Sequence, residues 1–160
     1  MSPFVQALTM LCALGAGAAG GTFFAFSTFT MKGLERLPPA QGAAAMQAIN
    51  KEAPTPPFML LLFGTGAAFV VLMVQAALHL DGPGAKLRLA AGILYVVGVV
   101  LMTAAYHVPR NNVLDGLDAE SAAGIAYWAT YLQEWVRMNH VRTIAPLVAS
   151  LLLMIALRVE

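Results

Sequence analysis

The chain has 160 residues, 59% of them hydrophobic and 11% charged, against about 45–50% and about 25% in an ordinary soluble domain. With a mean hydropathy of +0.74, its nine Lys and Arg and eight Asp and Glu are too few to coat a soluble globule but suffice for the ends of membrane helices, which all but excludes a soluble enzyme. The near balance of charge removes the electrostatic footprint of a nucleic-acid binder, so no nucleic-acid partner is expected. The single cysteine, Cys12, excludes an intrachain disulfide.

Four stretches carry no charge: Met1 to Met31, Ala53 to Leu80, Leu89 to Pro109 and Thr143 to Leu157. Since about 20 helical residues cross a 30 Å hydrocarbon core, the first three are long enough to span. The first predicts a helix over about residues 4–30, and the lack of Lys or Arg ahead of it argues against a cleaved signal. Ala13, Gly17, Gly21 and Ala25 recur every four residues and offer a smooth stripe for close helix packing, within one chain or between two copies in a homo-oligomer. Leu37-Pro38-Pro39 then introduces a short interfacial helix from Ala40 to Asn50. A second span is expected over 57–80, between Pro54, Pro56 and Pro57 and the Asp81-Gly82-Pro83-Gly84 turn. A third is expected over 86–108, ending there because Pro109 disfavours helix in the residue before it. In the third connection, Trp128, Tyr131 and Trp135 at helical spacing predict a further helix that runs on into the fourth span, about 135–158. The fourth charge-free stretch, fifteen residues or about 22 Å, is too short to cross alone. It must draw Asn139, His140 and Arg142 below the headgroups. No internal repeat or linker divides the chain, so residues 1–160 read as one domain: an all-α, multi-pass integral membrane four-helix bundle with short interfacial helices in the first and third connections.

With four spans, the first and third connections share one side of the membrane. That side collects Ser27, Thr28, Thr30, Asn50, His107, Arg110, Asn111, Asn112, Asn139, His140 and Arg142, and the other has only His79, Asp81, Lys86 and Arg88. Such groups are costly at membrane depth unless they pair or line a wet cavity, so the crowded side marks the candidate site. Trp135, Asn139 and Arg142 stand at i, i+4 and i+7 on one face of the last helix, and Trp128 and Tyr131 extend that face. The aromatics suit either a wall for a flat ligand or an interfacial belt, and Arg110 and Arg142 either a site or snorkelling anchors. His107 suits a site or a helix C-terminus. A metal set of His107, His140 and Glu134 lacks any His/Glu pair at i, i+3 or i, i+4, and no metal ligand is assigned.

Four blocks in order, Phe24-Ala25-Phe26-Ser27-Thr28-Phe29-Thr30-Met31, Leu37-Pro38-Pro39 with Met46-Gln47-Ala48-Ile49-Asn50, Val108-Pro109-Arg110-Asn111-Asn112, and Trp135-Val136-Arg137-Met138-Asn139-His140-Val141-Arg142-Thr143, resemble the small membrane proteins grouped as DUF1772, the anthrone oxygenase-like family. The resemblance covers nearly the whole chain. It implies a monooxygenase that oxidises a polyketide anthrone to a quinone with dioxygen, with no metal or flavin cofactor. An anthrone methylene loses a proton to give an electron-rich enolate, so such chemistry needs a base and a holder for the enolate oxygen. His140 fits the base, and Arg142, Asn139 and Asn112 fit the holder, with His107 beside them as a further catalytic candidate. Trp128, Tyr131, Trp135, Asn50, Asn111 and Asn112 are the expected substrate contacts, for an apolar substrate arriving from the lipid. The alternatives are a non-enzymatic membrane protein that binds a lipid, a quinone or a partner subunit through the same mouth, and a His-ligated metal protein.

Overall fold

The computed structural model describes residues 2–159. Among them the chain forms five helices: α1 Pro3–Glu35, α2 Pro39–Glu52, α3 Pro56–Leu78, α4 Ala85–Asp115 and α5 Ala122–Arg158. Their starts follow from local chemistry. Ser2 accepts from the Val5 N–H at 3.3 Å ahead of Pro3, and Ser121 accepts from the Gly124 N–H at 3.0 Å, each satisfying one of the donors a helix start leaves open. Pro39 and Pro56 occupy first-turn positions, where a missing N–H costs nothing. Gly84, at φ +65°, turns the chain into α4 in a conformation that favours glycine.

The helices α1, α3, α4 and α5 are long and apolar enough to cross a membrane, and the chain is a multi-pass integral membrane protein. In the bundle α1 packs on α5, α5 on α4, α4 on α3 and α3 back on α1, while α2 lies across one end against α5 and α4. Leu11, Leu14, Val74, Leu101, Ile144 and Leu151 point outward and are covered by lipid. Inside, Phe69 and Tyr95 stack at 4.7 Å among Cys12, Ala16, Leu72 and Leu153. A second core, made of Met31, Ala43, Met46, Leu114, Trp128, Tyr131 and Trp135, joins α2 to the ends of α1, α4 and α5.

One expectation about the spans is met in part and one is corrected. Of the small-residue stripe on α1, Ala13 is buried and Gly17 lies against Ser150 of α5, while Gly21 faces open space, and the buried line continues instead through Ala16, Ala19, Phe23 and Ser27. A line of strict four-residue steps rotates by about 40° per step around a helix of 3.6 residues per turn, so a buried line must alternate steps of three and four. Helix α4 also does not stop at Val108 but runs through Pro109 to Asp115. The turn Thr103–His107 is π-helical, with the Val108 N–H bonded back to the Thr103 carbonyl. That register slip lets the helix restart with Pro109 in its first turn.

Similar wide turns occupy Phe26–Thr30 in α1, Leu60–Gly64 in α3 and Val96–Leu101 in α4. Beside these turns the Phe23 carbonyl accepts from the Phe26 N–H and the Leu62 carbonyl from the Thr65 N–H, and each also accepts from a side chain. The Tyr95 hydroxyl donates to the Leu62 carbonyl at 3.2 Å, and the Asn139 amide donates to the Phe23 carbonyl at 2.9 Å. The second of these bonds holds Asn139 against α1.

Helix α5 has 37 residues, about 55 Å at 1.5 Å per residue, against a hydrocarbon core of about 30 Å. Its first turns therefore stand outside the core, clad by α2 and the end of α4. The predicted third-connection helix is this extension, continuous with the span, and the predicted interfacial helix is α2.

Candidate functional site

Where α1, α2, α3, α4 and α5 converge at the α2 end, they line a partly open cavity of about 580 Å³. That volume falls within the range of small-molecule sites. Phe23 and Phe26 of α1, Phe58, Met59 and Leu62 of α3, and Val108 and Trp135 form its apolar walls. Asn50 and Glu52 of α2 and Asn111, Asn112 and Asp115 of α4 lie towards its polar end, and Thr103 and Arg142 also line it.

Arg142 is 5% exposed. Its guanidinium lies 4.4 Å from the Phe23 ring centre and 4.9 Å from that of Trp135, close enough for each aromatic face to attract the cation. Nε donates to Asn139 Oδ1 at 3.1 Å, and one terminal nitrogen donates to Thr103 Oγ1 at 3.4 Å. Asn139 has no exposed surface; its amide donates to Ser27 Oγ at 2.8 Å as well as to the Phe23 carbonyl, and Ser27 Oγ lies 3.0 Å from Thr143 Oγ1. This network ties α1, α4 and α5 together. No carboxylate among the described residues pairs with Arg142. A buried cation with only neutral partners is a place for an anionic or strongly accepting oxygen.

Several expected site residues lie elsewhere. His140 is exposed and does not line the cavity. One residue advances a helix by about 100°, so with Asn139 facing inward His140 is turned out of the cavity. His107 is fully buried but sits behind the cavity wall, with its ring edge-on to Trp135 at 5.2 Å. Its Nδ1 lies 3.2 Å from the Met102 carbonyl, which can only accept, so Nδ1 carries the proton and Nε2 has no hydrogen-bond partner. Trp128 and Tyr131 are 2% and 1% exposed and continue the stack from Trp135 at spacings of 5.8 and 6.1 Å, but they lie in the core under α2. They form neither an interfacial belt nor a cavity wall; only Trp135 of the three reaches the cavity.

Asn50, Asn111 and Asn112 do line it. The Asn50 amide donates to Asp115 Oδ1 at 3.1 Å. Asp115, Thr103 and Phe23 are cavity residues that reading the sequence did not single out. The signal for Asp115 was its i+4 spacing from Asn111, hidden by ending the helix at Pro109. Arg110 lies outside the cavity, with its Nε 3.0 Å from Glu134 Oε2 and its guanidinium 3.5 Å above the Tyr106 ring. With Glu134 engaged there and His140 turned outward, the rival set of His107, His140 and Glu134 is not assembled. No group of three His, Cys, Asp or Glu placed to hold a metal ion occurs among the described residues.

Substituting His140 by alanine is expected to leave ligand binding and any turnover within about twofold of the parent, as for a surface position. Side-by-side assay of the two purified proteins checks this, and a loss of activity with the fold intact would restore His140 to the site.

No curated protein and no solved structure matches the chain. The family model described as anthrone oxygenase matches residues 58–152, which include α3, α4 and all of α5 as far as Leu152. More than half of the chain is covered, including Thr103, Asn111, Trp135 and Arg142, and on that match the chain belongs to the anthrone oxygenase family.

Proposed function

We propose that this protein uses dioxygen to oxidise a flat, apolar aromatic ketone of the anthrone type, turning a ring methylene into a second carbonyl. The observation that carries this reading is the Arg142 guanidinium, buried without a carboxylate partner in a cavity walled by aromatic rings. The Phe23, Phe58 and Trp135 side chains suit a planar ring system, and Arg142 suits the oxygen on it.

The chemistry follows from the substrate. A base removes one methylene proton, and the ketone oxygen takes the charge as an enolate. Arg142 stabilises that oxygen at a site shielded from bulk water, where the interaction is stronger than in solution. The carboxylates in the lining are Glu52 and Asp115, and they are the groups placed to accept the proton. The enolate then passes an electron to dioxygen, the two radicals combine at the former methylene carbon, and the resulting peroxide anion takes the proton back from the base to give a hydroperoxide. Loss of water from it, with the second proton leaving carbon and hydroxide leaving oxygen, gives the new carbonyl. One dioxygen is consumed per substrate; one of its atoms stays in the quinone and the other leaves as water.

An oxygen electrode tests the reading on purified protein in detergent. Addition of an anthrone is expected to produce uptake above the spontaneous rate, with one dioxygen consumed per anthraquinone formed. Saturable binding of the anthrone without catalysed uptake would instead support a non-enzymatic quinone- or lipid-binding protein.

A further inference from the structure

Asn111 is built into the cavity wall in a single orientation. Its Oδ1 receives two hydrogen bonds, from the Tyr131 hydroxyl at 2.7 Å and from Trp135 Nε1 at 3.1 Å. An indole N–H only donates, so the atom facing Trp135 must be the amide oxygen, and the amide cannot be reversed without placing two donors against each other. Tyr131 and Trp135 are themselves held, 1% and 4% exposed, in the stack that includes Trp128. What remains of Asn111 is its NH₂, which makes no hydrogen bond to any described residue. Asn111 nevertheless lines the cavity, with Trp135 and Arg142. Nε1 of the Trp135 indole bonds Asn111, and the same ring lies 4.9 Å from the Arg142 guanidinium.

We infer that Asn111 is a fixed hydrogen-bond donor to the ligand, and that together with Arg142 it makes the Trp135 side of the cavity select aromatic ligands carrying acceptor oxygens. Tyr131 and Trp135 are its positioning residues: they lock the amide so that no conformational entropy is spent in presenting the donor. A carbonyl or enolate oxygen is accepted there. A ligand with the same outline and no oxygen fills the same walls but gains nothing from the amide, and a ligand presenting a donor at that point is rejected because donors face donors. This deepens the proposed reaction by naming the feature that orients its substrate, and it rests on that reading for the ligand class.

Asn111→Asp separates the donor role from a structural one. The variant keeps an oxygen to accept from Tyr131 and Trp135, replaces the NH₂ by a second acceptor and adds a negative charge, and both changes oppose an acceptor oxygen on the ligand. Binding of 9,10-anthraquinone and of anthracene, equal in outline but differing in oxygen, is measured on the full chain in detergent for the parent, Asn111→Asp and Tyr131→Phe. Asn111→Asp is expected to weaken anthraquinone about tenfold or more, since a hydrogen bond is replaced by facing acceptors, and to leave anthracene unchanged. Tyr131→Phe, which removes one of the two locks, is expected to weaken anthraquinone by a smaller factor with anthracene again unchanged. Equal loss of both ligands, or no loss of either, overturns the inference. If Asn111→Asp does not fold, Tyr131→Phe decides alone: anthraquinone-selective weakening supports the inference and its absence overturns it. An oxygen-dependent binding split without catalysed oxygen uptake defeats the oxidation reading and leaves this one standing; catalysed uptake without the split does the reverse.

Discussion

Replacing Arg142 by methionine is expected to lower catalysed anthrone oxidation by about 10²–10³-fold, the loss typical when a donor to a developing oxyanion is removed. The same change should shift the thermal midpoint in detergent only slightly, because removing the buried charge offsets the cost of leaving Asn139 Oδ1 without its donor. The argument turns on what the guanidinium gains in the unliganded protein. It makes two hydrogen bonds to neutral side chains and two cation–π contacts, with no carboxylate. Burial of an ion costs several kcal/mol even after relaxation, while each cation–π contact returns about 0.5–2 kcal/mol and each hydrogen bond to a charged group about 1.5–3 kcal/mol. These terms nearly cancel, so the charge is not retained for stability. Methionine has a similar length, carries no charge and packs well against Phe23 and Trp135. Destabilisation of several kcal/mol with activity retained would show that Arg142 is a structural group and would remove the anion site.

The opposite signature is expected at Asn139. Asn139→Leu deletes the bonds to the Phe23 carbonyl, Ser27 Oγ and Arg142 Nε. The bonds to Phe23 and Ser27 are interhelical, and such bonds average only about 0.6 kcal/mol each inside membranes, so their direct loss amounts to about 1 kcal/mol. The larger penalty is the stranding of the guanidinium, whose Nε loses its acceptor while remaining buried. Thermal denaturation in detergent should therefore give a clear fall in midpoint for Asn139→Leu, with turnover lost alongside because Arg142 loses its tether. In the double variant Asn139→Leu with Arg142→Met, most of that fall should be recovered, as the two residues are in contact and their effects should couple. Additive losses would mean that Asn139 stabilises α1 against α5 without reference to the charge.

How far the sequence carried these conclusions differs from helix to helix. Charge-free length located the first three spans, because the bilayer imposes a minimum that composition alone reports, and the fourth was placed by extending its short apolar stretch backwards. The shortness of the stretch from Thr143 to Leu157 placed Asn139 and Arg142 inside the protein, and the spacing of Trp135, Asn139 and Arg142 put them on one face; all three are buried on α5. The same periodicity argued against His140, which was included for its chemistry and points outward. Pro109 misled because the rule for the residue before a proline assumes α-helical register, and α4 is π-helical there. Thr103 and Phe23 were not legible at all. Their neighbours across the cavity lie on other helices, and no spacing along one helix reports contacts between helices.

The central claim is that Arg142 receives the oxygen of a flat aromatic ligand inside the α2-end cavity. A crystal structure of the protein grown from lipid with 9,10-anthraquinone tests it most directly. The rings are expected among Phe23, Phe58 and Trp135, with one carbonyl oxygen within hydrogen-bond distance of the Arg142 guanidinium. Ligand density on the outer face beside His140, or in the cavity with both oxygens turned away from Arg142, would contradict the claim.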